Sequence, residues 1–248
     1  LPGLELSFSQ TIAEISAIAK VAEPFIHPPS LGALDRFVDR LQSIRNSPET
    51  DTYPVSIDDK YPLLTRLSKG EYEPGGGGRT VFGEIVCIST IRPLGMHSTK
   101  FWPKRTFRME GLVTTRLRVM DAETNSEVAR WHHDIAQAST PFYTVHTQFQ
   151  SKKDDNAFPA SLPIPRLPGL MITLGDSIEF LLAELFQTEW TKHVARDTAQ
   201  LKEWRSIQKD RFIRFLTWES DCLKGCSVGT PWNLLKAKSP PASLFYAK

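Results

Sequence analysis

Apolar residues near the start of the chain recur at helical spacing. Phe8, Ile12, Ile15, Ile18, Ala19 and Ala22 define one stripe, with Ser7 or Ser9 as its cap and Pro24 as its stop. A second stripe follows Ser30. Leu34, Phe37, Val38, Leu41 and Ile44 share one face, Asp35, Arg36, Asp39 and Arg40 the other, and Pro28, Pro29 and Pro48 bracket the segment. The period then falls to two. Val81 to Ile91 is a β-type run, and from Phe107 to Val119 the residues Phe107, Met109, Val113, Leu117 and Val119 oppose Arg108, Glu110, Thr114, Arg116 and Arg118. Asp121 to Asn125 reads as a turn into Glu127–Ile135, where Ala129, Trp131, His133 and Ile135 alternate with Arg130, His132 and Asp134. Phe142 to Phe149, carrying His146, is a further strand. Helical spacing returns in Ile178, Leu181, Leu182, Leu185, Phe186 and Val194, capped by Thr173 or Asp176. It returns again in Leu201, Trp204, Ile207, Phe212, Phe215 and Trp218, opened by Asp197 with Gln200 three residues later.

This order of elements predicts an α+β fold: an antiparallel β-sheet of about four to six strands, with two N-terminal and two C-terminal helices packed on its apolar face. A single domain is expected over residues 1–225, with the helical pair at about 8–46, the sheet at about 80–150 and the last helices at about 176–220; residues 226–248 read as an extended tail. Residues 51–78 read as irregular and end in Gly75–Gly78. Those glycines are no phosphate cradle, because Arg79-Thr80 leads into a β-type run where a phosphate loop needs Lys-Ser or Lys-Thr and a helix.

Thirty basic against twenty-eight acidic residues give a formal charge of +2, so nucleic acid or an anionic surface would have to be met by a local patch. No apolar run reaches the ~20 residues needed to cross a bilayer, and the opening Leu1-Pro-Gly-Leu-Glu5 lacks the basic start and apolar core of a secretory signal. Cys87, Cys222 and Cys226 are an odd set that forms no disulfide framework. They are expected to be reduced thiols in a cytoplasm, without a membrane partner. Cys222 and Cys226 stand four apart, but no second Cys or His pair accompanies them to complete a zinc site.

Candidate chemistry gathers on the polar side of the sheet. A short hairpin would set His132 opposite His146 and Asp134 opposite Thr144, with Arg130 and Gln148 nearby. Two imidazoles and a carboxylate can bind a divalent cation if their heads converge to about 2.0–2.2 Å from it. His132, Asp134 and His146 are therefore the metal or acid–base candidates, set against the commoner outcome of a solvated polar face. His133 should point to the opposite, apolar face as a hydrogen-bonded core histidine. His97-Ser-Thr99 and His146-Thr147 fail as a paired phosphoesterase motif, because the second lacks its hydroxyl residue. No Gly-x-Ser-x-Gly elbow or His-Glu-x-x-His helix occurs, so no catalytic residue and no cofactor is assigned.

Two binding surfaces remain. Arg116, Arg118 and Arg130, with Arg108, form an arginine face able to meet phosphates, supplemented by Lys202, Arg205, Lys209, Arg211 and Arg214 on the last helix. Arg166 in the Pro-rich run, and Trp232 with Leu234, Leu235, Phe245 and Tyr246 in the tail, are the second surface, suited to a protein partner. The segments Val145-His-Thr-Gln-Phe149, Leu162-Pro-Ile-Pro-Arg-Leu-Pro168 and Glu184-Leu-Phe-Gln-Thr-Glu-Trp190 resemble a family of uncharacterised bacterial proteins. The resemblance implies a bacterial setting and no activity. The expectation is a non-catalytic adaptor subunit of a bacterial cytoplasmic complex, with another protein as partner. The alternatives are a nucleic-acid-binding module using the arginine face and a metal-dependent hydrolase using His132, Asp134 and His146.

Overall fold

The computed structural model describes residues 4–69, 80–95, 105–135, 145–149, 167–168 and 173–225, with positions 227–231, 234, 241 and 244 of the tail. In chain order they form β1 (Glu5–Ser7), α1 (Phe8–Ala22), α2 (Gly32–Ile44), β2 (Tyr53–Ile57), β3 (Leu63–Leu64), β4 (Ser68–Lys69), β5 (Thr80–Leu94), β6 (Thr106–Asp121), β7 (Glu127–Ile135), β8 (Val145–Phe149), β9 (Leu167–Pro168), α3 (Leu174–Val194) and α4 (Ala199–Lys224). The fold is α+β, with every strand pair antiparallel and four α-helices among the described residues.

The long strands β5 and β6 form the spine, paired from Val81–Asp121 to Leu94–Thr106. The other edge of β5 is taken in turn by β2, β3 and β4, with Ile57 opposite Cys87, Leu63 opposite Ile85 and Ser68 opposite Val81. This corrects the irregular reading of residues 51–69. Three pieces of two to five residues are too short to display alternation and acquire their strand geometry from the β5 edge. The second edge of β6 holds β1 near Phe107 and β7 from Val113 to Met120, and β8 and β9 extend the sheet beyond β7. Between Ile88 and Thr90 the register of β5 against β6 slips, a bulge of the kind that bends an antiparallel pair.

The apolar face of this sheet and the helices enclose one core cluster, in which Ile85, Ile91, Phe107, Leu117 and Val119 are nearly solvent-free. α1 enters it through Phe8, whose ring centroid lies 4.7 Å from that of Phe107. α3 lies so close to β5 that a Cβ added at Gly83 would sit 2.7 Å from Leu181 Cδ2 and 2.8 Å from Leu185 Cδ1. Phe25, just past α1, meets Phe186 and Trp190 of α3 at 5.1 and 5.2 Å.

Ser7 caps α1 and Thr173 caps α3, each accepting a backbone N–H two positions into the helix or further. α4 is capped by Thr198, whose Oγ1 accepts from Leu201 N at 3.3 Å; the expected cap Asp197 instead pairs with Lys202 Nζ at 3.1 Å. In the tail, Leu234 N donates to Thr230 O at 3.0 Å, and Leu244 packs on the core cluster. Among the described residues no helix is long and apolar enough to cross a membrane. Gly75–Gly78, His97, Cys226, Arg166 and Trp232 lie outside the described residues.

Candidate functional site

The β7–β8 hairpin pairs two residues out of the expected register. Asp134 stands opposite His146, and His132 opposite Gln148. This register sets Trp131 opposite Phe149 and Ile135 opposite Val145. The His146 side chain lies outside the described residues. His132 is partly buried, and desolvation lowers its pKa below the usual histidine value against the pull of Asp134. Among the described residues no group of three His, Cys, Asp or Glu side chains is arranged to hold a metal ion.

The neighbouring arginines meet carboxylates. Arg116 pairs with Asp59, Arg118 with Glu84, and Arg130 with Glu127. Arg92 meets Glu110 at 2.9 Å and Arg108 meets Glu5 at 2.8 Å. The face expected to be basic is thus charge-balanced, because β1, β5 and the loop after β2 supply acidic partners that a single strand's alternation does not reveal. On α4, Arg205 is turned to the carbonyls of Val194 and Arg196 at the end of α3, while Arg211 is buried.

A cavity of about 60 Å³ lies between α1, α2, the start of α3 and the apolar face of the sheet. Leu6, Ile15, Leu41, Val55, Phe107 and Val113 give it an apolar wall, and Glu14, Ser89, Thr115, His133, Thr173 and Ser177 give it a polar one. His133 sits on the core side of β7, as its parity requires, and is 6 % exposed. Its Nδ1 lies 2.8 Å from Ser177 Oγ, and Ser177 Oγ lies 3.0 Å from Thr173 O. Which ring nitrogen of His133 carries the proton is set by which partner donates in this contact: Ser177 to Nδ1, or Nδ1–H to Ser177. The His133 Nε2 is buried without a hydrogen-bond partner among the described residues. Burial holds the imidazole neutral, lowering its pKa to about 4 against the influence of Asp134.

Three other hydroxyls of the wall have partners. Ser89 donates to Val55 O at 2.7 Å, Thr115 Oγ1 lies 3.5 Å from Cys87 Sγ, and the Thr173 hydroxyl sits between the carboxylates of Glu14 and Asp176. Burial drives the Cys87 thiol up to about 11.

Behind Glu14 lies an ionic cluster. Arg211 Nη1 is 2.8 Å from Glu14 Oε2, and its Nη2 bonds Asp176 Oδ1; the three side chains are nearly solvent-free. Gln208 joins Asp176 at 3.2 Å and Glu179 at 2.6 Å, and Trp204 Nε1 donates to Glu179 at 2.7 Å. Desolvation raises the Glu14 carboxyl to about 6, with Arg211 pulling the other way and Asp176 reinforcing the rise. Sequence reasoning passed over this cluster, although a signal existed. Glu14 lies four residues before Ile18 and seven before Val21, and Arg211 seven after Trp204 and four before Phe215. Both charges therefore stand in the apolar stripe of their helix.

The fold and cavity define an α+β protein built on an antiparallel sheet, with a partly polar interior space. Comparison of the chain with family models, with curated proteins and with solved structures found no match.

Proposed function

We propose that this protein is a binding module that takes a small molecule in the cavity between α1, α3 and the sheet. The observation that carries this reading is the pairing of an apolar wall with one buried imidazole nitrogen, His133 Nε2, that nothing among the described residues satisfies. Buried polar atoms are satisfied in the great majority of cases, and an exception points to a missing partner. At about 15 Å³ for each water-sized centre, the cavity has room for about four of them. A concave, largely apolar space with a few placed polar groups is the usual form of a ligand site. The test is ligand-observed NMR with a library of small organic molecules, on the wild type and on Val113→Phe, which fills the cavity. Saturable binding to the wild type, lost in the folded variant, supports the reading. An absence of saturable binding to the wild type overturns it.

A second reading, an adaptor that binds another protein, is favoured by a different observation. Ile213, Leu216 and Leu223 on α4 are 52 %, 49 % and 38 % exposed, although each is apolar. Such side chains clustered on one helix are the material of a protein contact. The adaptor reading expects a defined partner complex in gently prepared native extract to dissociate on Ile213→Glu with Leu216→Glu. A complex that survives both substitutions counts against this face.

A further inference from the structure

Resting on the reading of α4 as a protein contact, we infer that the partner is a second copy of this chain, the two α4 helices packing parallel through Ile213, Leu216 and Leu223. The pattern of the helix carries the inference. Ser206, Lys209, Ile213, Leu216, Ser220 and Leu223 recur at alternating spacings of three and four, and all six are exposed. The opposite side of α4, with Leu201, Trp204, Arg211 and Phe215, is buried against the rest of the chain. Such spacing is the seam of a coiled coil, and a β-branched residue at its first apolar position with leucine at the second favours two parallel strands. Ile213 holds the first position, and Leu216 and Leu223 the second. Ser206 and Lys209 dilute the seam toward the N-terminus of α4, so the contact is short and centred on its C-terminal half.

The residues beside the seam fit the same helix. Where two helices pair in parallel, a residue on one flank meets, on the other helix, the residue five positions further on. In α4 these pairs are Arg205 with Asp210, Phe212 with Thr217, and Glu219 with Lys224, so both ionic pairs join opposite charges. An antiparallel pairing that sets Ile213 against Leu223 would instead bring the two copies' Glu219 together. Glu219 is half-buried, and desolvation raises its carboxyl above the usual carboxylate range with no cation pulling it down. Lys224 is exposed and meets Asp221 at 2.8 Å within its own helix, which leaves two of its three N–H groups for a partner. Arg205 is exposed as well, its Nη2 resting on the carbonyls of Val194 and Arg196.

The test is sedimentation equilibrium of the intact chain from about 10 µM to about 1 mM, where a small, transient interface associates. A reversible monomer–dimer equilibrium is expected. Ile213→Glu with Leu216→Glu should abolish it and leave the circular dichroism unchanged, since both side chains lie outside the core. Glu219→Lys and Lys224→Glu, each alone, should weaken the dimer about tenfold by setting like charges together, and the two combined should restore it. A combined variant that stays weak overturns the parallel pairing, and a dimer indifferent to Ile213→Glu with Leu216→Glu overturns the seam. A monomer across the whole range overturns the inference and leaves the adaptor reading standing, which falls if the complex in native extract survives the same two substitutions.

Discussion

Arg211 of α4 and Glu14 of α1 are joined at 2.8 Å behind the cavity wall, nearly two hundred residues apart in sequence. The same guanidinium reaches Asp176 in the first turn of α3, so one cation ties three helices together. Glu14 belongs to the cavity as well, and the cluster therefore fixes one side of the space a ligand would occupy.

Removing that cation should be among the most damaging single changes to the fold. Arg211→Met leaves two carboxylates buried without their countercharge, and breaking a buried ion pair from one side costs on the order of 3–5 kcal/mol. Urea denaturation should show a midpoint lowered accordingly, with the m-value unchanged. A loss under about 1 kcal/mol would mean that water reaches the cluster and that the burial described for it is incorrect.

Glu14 gives the same cluster a signature in pH. Its carboxyl is raised from 4.5 to about 6, so the folded state holds a proton that the unfolded chain releases at lower pH. Its contribution to stability is full below about pH 4.5 and is lost as the pH rises through 6, a change on the order of 2 kcal/mol. Glu14→Gln has no such titration. Plotted against pH, the stability of the wild type minus that of the variant should fall between pH 4.5 and about 6.5. A flat difference across that window would remove the case for a raised carboxyl.

The parts of the fold legible in the sequence are those whose hydrophobic period runs long enough to be seen. The stripes of α1, α2, α3 and α4 and the alternation of β6 and β7 span eight or more residues each, and the structure has elements there. β3 and β4 have two residues apiece, so their strand character comes wholly from the β5 edge. The β7–β8 register was not legible because parity alone permits any slip by two, and the structure sets Asp134 opposite His146. For the site, the parity of β7 placed His133 on the core face. Its partner Ser177 was beyond reach, since nothing in the local pattern of α3 points to a particular strand. The carboxylates that pair with the arginine face were not legible for the same reason, as Glu84 and Asp59 come from separate segments.

Gly83 is where β5 lets α3 approach. Alanine there would press its Cβ against Leu181, Leu185 and Thr65 Cγ2, all within 3 Å. Packing of this density relaxes by moving the helix, at a cost of about 1–3 kcal/mol. Thermal unfolding of Gly83→Ala should show a lowered Tm, and Leu181→Ala in the same chain should recover part of the loss, because it removes one of the atoms in the way. If the double variant is worse by the full sum of the two single effects, the two residues do not contact each other as described.

His133 makes the opposite prediction to Glu14. Burial depresses its pKa from 6.5 to about 4, so on acidification the unfolded chain takes up a proton that the folded imidazole refuses. Its contribution is present in full above about pH 6.5 and is lost as the pH falls toward 4, a change on the order of 3 kcal/mol. His133→Phe, which cannot titrate, should lose less stability than the wild type between pH 6.5 and 4.5, whatever its stability at neutral pH. Denaturation midpoints of the two proteins across that range decide the matter. Parallel curves would mean that the ring is charged or solvated in the folded state, and the buried, unpartnered Nε2 would no longer mark an empty position on the wall.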